Sequence, residues 1–263
     1  MHGNTDKTPK IRLTSTGSVA GEAPIMFGTP GATGVWADQN TREGIFDALK
    51  RKESFGTSGP LIRVRFFGGW NYKKNMAKTE DFAEQGYQGG VPMGGDLPNM
   101  PKSAKAPTFA AWALKDPQSG NLDRVQIIKG WYDNGYPREK IYDIVWSGDR
   151  KRDPATGKLP PVGNTVDVGK ATYTNDIGAT QLSAVWTDPD FDPAVHAVYY
   201  LRAIEIPTPR WSTYDAVKLG VPVPEVHPAS IQERAWSSPI WYTPDPSLVK
   251  KPDFYPGLQQ LLP

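Results

Sequence analysis

Residues 194–206, AVHAVYYLRAIEI, carry the clearest strand pattern in the chain. Val195, Ala197, Tyr199, Leu201 and Ala203 form one alternating set; His196, Val198, Tyr200, Arg202 and Ile204 form the other. A period of two, rich in β-branched and aromatic residues, predicts a central strand. Pro207 and Pro209 end it, because proline cannot donate to a sheet ladder. The same reading extends outward in both directions. Leu122–Trp131 divides into two mixed faces and reads as another central strand, Asp133-Asn134-Gly135 supplies turn chemistry, and Glu139–Trp146 returns as the second arm of a hairpin. Phe109–Leu114, Leu182–Trp186 and Trp236–Tyr242 read as further strands. Strands separated by turns, with no helices between them, predict an antiparallel β-sandwich from about Leu61 to Thr243.

Upstream, residues 40–70, NTREGIFDALKRKESFGTSGPLIRVRFFGGW, change character. Asn40 is placed to cap a helix, with Glu43 three residues on to complete a capping box. Ile45, Ala48 and Leu49 share one face, and Lys50, Arg51 and Lys52 favour the negative end of the helix dipole. Gly59-Pro60 cannot continue a helix, so Phe55-Gly56-Thr57 reads as a short strand and Ser58-Gly59 as the turn after it. Leu61, Val64, Phe66 and Phe67 then form a largely buried strand ended by Gly68-Gly69. Residues 1–30 read as a mobile leader. Residues 71–107 lack periodicity, and a loop of that length in a compact domain has a functional or packing task. Residues 147–181 are a second polar, glycine-rich excursion, and 244–263 a terminal tail.

Composition narrows the function classes. The 263 residues carry a net charge of only +2, too little to argue for a nucleic-acid partner. No apolar run reaches the roughly 20 residues of a membrane span. There is no cysteine, hence no disulfide and no thiolate chemistry. Glycine and proline number 26 each, about a fifth of the chain against about 12% on average, which favours a loop-rich β architecture. Arg150-Lys151-Arg152 reads as a solvated loop. His2, His196 and His227 lie far apart without metal-ligand spacing, and His196 reads as a packed strand histidine. Asp188, Asp190 and Asp192 imitate the opening of a calcium loop, but Pro193 stands where glycine is needed and Tyr199 where a glutamate is needed. An acidic turn is the better reading. Gly86–Gly95 lacks the ending of a phosphate-binding loop, and no nucleophile–base arrangement emerges from spacing. Exposed tryptophans would suit a carbohydrate platform, whereas buried ones would serve a sandwich core.

Four segments carry a family resemblance: TREGIFDALKRKESFGTSGPLIRVRFFGGW, GGVPMGGDLP, AVWTDPDFDPAVHAVYYLRAIEIPTPRWSTYDA and IQERAWSSPIWYTP. Together they resemble the C-terminal part of a bacterial family known as domain of unknown function 3604. Its full-length members look like metal-dependent hydrolases of the polymerase-and-histidinol-phosphatase (PHP) superfamily, built on a distorted (β/α) barrel. The resemblance implies a mainly β chain: an antiparallel β-sandwich, residues 61–243, preceded by the last helix/strand unit of a truncated PHP-type barrel, residues 31–60. It implies a parent hydrolase of phosphoesterase type with a divalent metal, whose ligands would lie ahead of Met1. No cofactor is then expected in this chain itself, which would be inactive alone, and the partner would be the missing N-terminal barrel half. In such barrels strand ends touch substrate. Thr57, Ser58 and Gly59 are therefore the expected pocket rim, with hydroxyls and amides facing an anionic or carbonyl oxygen. The alternative is an autonomous β-sandwich binding module for a glycan or a protein partner.

Overall fold

A computed structural model describes residues 9–13, 24–133 and 136–249. Its strands in chain order begin with β1 (Thr33–Val35), β2 (Ser54–Thr57), β3 (Arg63–Gly69), β4 (Gly90–Pro92) and β5 (Thr108–Leu114). Next come β6 (Leu122–Asp133), β7 (Tyr136–Trp146), β8 (Gln181–Thr187) and β9 (Ala197–Glu205). Last are β10 (Thr208–Pro209), β11 (Ser230–Ile231), β12 (Arg234–Ser237) and β13 (Ile240–Tyr242). The helices are α1 (Pro9–Arg12), α2 (Arg42–Lys50), α3 (Phe82–Gly89) and α4 (Trp211–Leu219).

Two antiparallel sheets face each other. The larger is seven-stranded in the order β1-β2-β12-β9-β6-β7, with β13 also paired to β9; the smaller runs β4-β3-β5-β8. Strand β9 is central, as its alternation predicts. Ala197, Tyr199, Leu201 and Ala203 are sealed inside, while Val198, Tyr200, Arg202 and Ile204 are half-buried on the outer face. Facing them, Ile62 and the β3 and β5 residues Val64, Phe66, Phe109, Ala111 and Ala113 complete the core. Phe109 anchors it, with ring centroids 5.4 Å from Phe66 and 4.5 Å from Tyr199. Each such fully buried side chain contributes about 1.5–3 kcal/mol of transfer free energy. The predicted single strand Trp236–Tyr242 is two short strands, because Ser238-Pro239 interrupts the ladder.

The aperiodic segment 71–107 has a packing task. A 3₁₀ helix at Lys74–Lys78, together with α3, lays Met76 and Phe82 on the outer face of the smaller sheet, against Phe67 and Ala110. Tyr72 donates its hydroxyl to the Gly86 carbonyl at 2.6 Å. Position 86 tolerates only glycine, since a Cβ there would lie 2.5 Å from the Phe67 ring.

Residues 31–60 contribute β1 and β2 to the larger sheet, and the described residues form no closed barrel. Trp36 donates Nε1–H to the Val64 carbonyl at 2.8 Å, and the Arg65 guanidinium lies 3.7 Å from its ring centroid. The Tyr87 hydroxyl reaches the buried Glu53 carboxylate. The helix cap is Thr41 rather than Asn40: Thr41 Oγ1 accepts from the Gly44 amide at 3.1 Å. Of the face expected to be buried, only Ala48 is; Ile45 is 37% and Leu49 47% exposed, and Phe46 beside them is 62% exposed.

Two features were not expected from the sequence. Helix α4 follows directly on Pro209, started by Arg210, whose guanidinium donates to Ser212 Oγ and the Ile25 and Phe27 carbonyls. Within the expected leader, Ile25 is buried, and Arg12 pairs with Asp215 of α4 at 2.7 Å. Asn134-Gly135 of the predicted turn and His2 lie outside the described residues.

Candidate functional site

Strand β2 carries Thr57, Ser58 and Gly59 to one end of the sandwich. Thr57 is buried, its Oγ1 3.4 Å from the Ala32 amide, and it lines a cleft of about 430 Å³ between β1–β2 and the turn at Asp116–Gln118. Ser58 faces the other way. Its hydroxyl donates to a Glu233 carboxylate oxygen and accepts the Arg234 amide at 2.8 Å, which spends its one proton. Gly59 packs on Thr29, where a Cβ would lie 3.3 Å from the Thr29 methyl. Of the three predicted rim residues, Thr57 therefore lines the cleft, Ser58 ties β2 to β12 and Gly59 packs on Thr29.

Behind this tie lies a carboxyl that the sequence reading missed. Glu205 ends β9 fully buried, on the inward alternation of Tyr199, Leu201 and Ala203. Its Oε2 accepts from the Ser119 hydroxyl at 2.8 Å, whereas Oε1 has no hydrogen-bond partner among the described residues. Its amide donates to the Glu233 carbonyl at 2.9 Å, and Gln232 Nε2 donates to its own carbonyl at 2.8 Å. Burial, with Glu233 and Asp116 nearby, pushes the Glu205 carboxyl up to about 8. Burial also raises Glu233, opposed by Ser58, Arg234 and Arg210. Two carboxyl groups thus resist ionisation at one end of the fold. Because Glu205 is sealed, it shapes the turn through Ser119 without meeting a ligand directly. That turn separates the first cleft from a second of about 350 Å³ lined by Ser119, Tyr173 and Asn175. Its other anchor is Asp116 Oδ2, which accepts the Leu61 amide at 2.7 Å.

The acidic turn is a turn, with its carboxylates engaged. Asp188 is buried against Lys129, Nζ to Oδ2 2.6 Å, and accepts the Tyr199 hydroxyl at 2.7 Å. Asp190 takes Lys140 at 2.5 Å and the Tyr142 hydroxyl at 2.6 Å, contacts that hold it below the usual carboxylate range. Asp192 Oδ1 accepts the Ala194 amide at 2.9 Å. His196 is exposed just ahead of β9 instead of packed within it, and His227 Nε2 lies 3.3 Å from Met26 Sδ. The Arg150–Arg152 loop is more than solvated surface. Arg150 reaches buried Asp123 at 2.7 Å, and Arg152 lies over the Trp146 ring at 5.2 Å. Among the described residues no group of three His, Asp or Glu side chains converges to hold a metal ion. No described helix is long and apolar enough to cross a membrane.

The profile of a family described as "Protein of unknown function (DUF3604)" matches residues 1–244. The chain belongs to that family. No curated protein and no solved structure matches it.

Losing the Ser58 hydroxyl leaves a half-buried carboxyl short of a donor, and hydrogen bonds to charged groups are worth about 1.5–3 kcal/mol. Ser58→Ala is therefore expected to lower Tm by several degrees. An unchanged Tm would show that the β2–β12 tie carries no stability.

Proposed function

We propose that this chain is the sandwich portion of a PHP-type metal-dependent hydrolase of phosphoesterase character, docked on the metal-bearing barrel of that protein through α2. The metal and its ligands would belong to the barrel, and this chain's own residues would position it. One observation supports the reading: Ile45, Phe46 and Leu49 are exposed apolar side chains on a helix that buries only Ala48. Contiguous exposed apolar surface marks an interaction site. In this arrangement the cleft beside Thr57 faces the docked body, and Thr57 edges its pocket. The hydrolytic chemistry itself rests on the family resemblance alone.

The test uses a longer family member that contains both parts. Ile45→Glu with Leu49→Glu, transferred to the matching positions, is expected to lower that protein's stability by about 2–4 kcal/mol while leaving this chain within about 1 kcal/mol. Equal effects in both proteins would overturn the docking.

The second reading, a binding module, is supported by a different observation. The outer face of β9 is only half-buried, whereas the smaller sheet is covered on both sides.

A further inference from the structure

The outer face of the larger sheet is a row-by-row arrangement of rings and guanidinium groups. Register places Trp241 of β13 opposite Val198, and Trp236 of β12 opposite Arg202, with Tyr200 between these two positions on β9. The two tryptophan positions are four residue steps apart along β9, about 13 Å at strand spacing. Trp241 is 44% exposed, and Trp236 and Tyr200 are half-buried. Gly56 opposite Trp236, and Gly130 opposite Val198, leave gaps in the rows where side chains would otherwise stand.

Arginines outnumber carboxylates on this face, where Glu139 shares the Gly130–Val198 row and Asp143 the Gln126–Arg202 row. Arg124, Arg202 and Arg234 stand on outward positions, and Arg202 is steadied by the Gln126 side-chain carbonyl, 2.8 Å from its Nε. Of the opposing carboxylates, Asp123 lies 3.0 Å from Arg124, and Asp143 accepts from Gln126 at 2.6 Å and sits 3.6 Å from Arg124 and 3.9 Å from Arg152. Guanidinium groups on fixed strands suit carboxylate or sulfate oxygens, which they meet with two parallel N–H donors. Flat rings suit the C–H faces of pyranose units, offering broad apolar contact beside polar partners.

We propose that this face binds an acidic polysaccharide, a pyranose chain carrying carboxylate or sulfate groups, stacked on Trp241, Tyr200 and Trp236 and held by Arg202 and Arg234. The proposal rests on the binding-module reading and fixes the ligand class for it. Charge complementarity selects an anionic chain over a neutral one. A whole-chain charge of +2, with no lysine run, disfavours a nucleic acid, whose capture depends on neutralising many phosphates.

Titration of the full chain with heparin, with polygalacturonate and with neutral cellohexaose, alongside a thymidine oligonucleotide, tests this. The expected result is binding to at least one acidic polymer, weakened by raising salt from about 50 to 300 mM as for exposed charge pairs. Trp241→Ala and Arg202→Gln should each weaken it at least tenfold, with circular dichroism and Tm confirming that each variant folds. Arg202→Gln serves alone if the tryptophan variant does not fold. Binding of cellohexaose alone would overturn the acidic class while keeping a glycan module. Oligonucleotide binding as tight as that of the polysaccharides, or no binding to any probe, would overturn the proposal entirely.

Discussion

Glu205→Gln is expected to raise Tm at pH 8 and leave it nearly unchanged at pH 4. Burial lifts the folded-state carboxyl to about 8, against 4.5 as its ordinary value. A raised carboxyl favours the folded state while protonated, so its contribution is fully present below about 4.5 and disappears as pH rises towards 8. Each unit across that window withdraws up to about 1.4 kcal/mol. By pH 8 the loss is of order 4 kcal/mol, large beside the roughly 5–15 kcal/mol of a typical domain. Glutamine keeps the volume and cannot ionise, so the variant should lose most of the slope. A smaller residual slope of the same sign belongs to Glu233, which is also raised. Urea unfolding at pH 5, 6, 7 and 8 reads this directly. Parallel curves for the two proteins, or wild-type stability that rises with pH, would contradict it.

The other large effect concerns the buried pair between the sheets. Lys129 is 5% and Asp188 2% exposed, and the ammonium also donates to the Asp190 carbonyl at 2.7 Å. Removing one partner of such a pair leaves a buried charge unmatched, at about 3–5 kcal/mol. Lys129→Met is expected to cost that much. Adding Asp188→Asn removes the stranded charge while an amide oxygen can still take the Tyr199 proton, and should recover at least 1 kcal/mol. A double-mutant cycle showing simple additivity would mean that the two residues are not coupled.

Much of this fold was legible because strand alternation is a local property. Strands β5, β6, β8 and β9 fall within a few residues of their predicted bounds, each set by apolar periodicity and by Asp, Gly or Pro at its ends. Helix α4 was not legible. WSTYDAVKL is nine residues long with weak apolar segregation, and its start is fixed by Arg210 bonding to residues near 25–27, a contact made across the chain. Segment 71–107 hid a short helix for a similar reason: α3 earns its place by packing Phe82 and Gly86 on Phe67, and eight residues show too little periodicity alone.

The site was half legible. Thr57–Ser58–Gly59 was read as exposed donors because a polar turn follows a strand. The partner that claims the Ser58 proton, Glu233, lies 175 residues away. Glu205 could have been found, since a glutamate on the inward alternation of a strong strand is a buried acid in need of a donor. The family assignment stands on the match to residues 1–244.

The segment 71–107 gives the molecule a back and a front. The back carries exposed Lys73, Lys74 and Lys78 over the covered sheet, while the aromatic and arginine rows of the front offer few primary amines. Amine coupling to a sensor chip or bead that takes hold at those lysines would present the front to solvent.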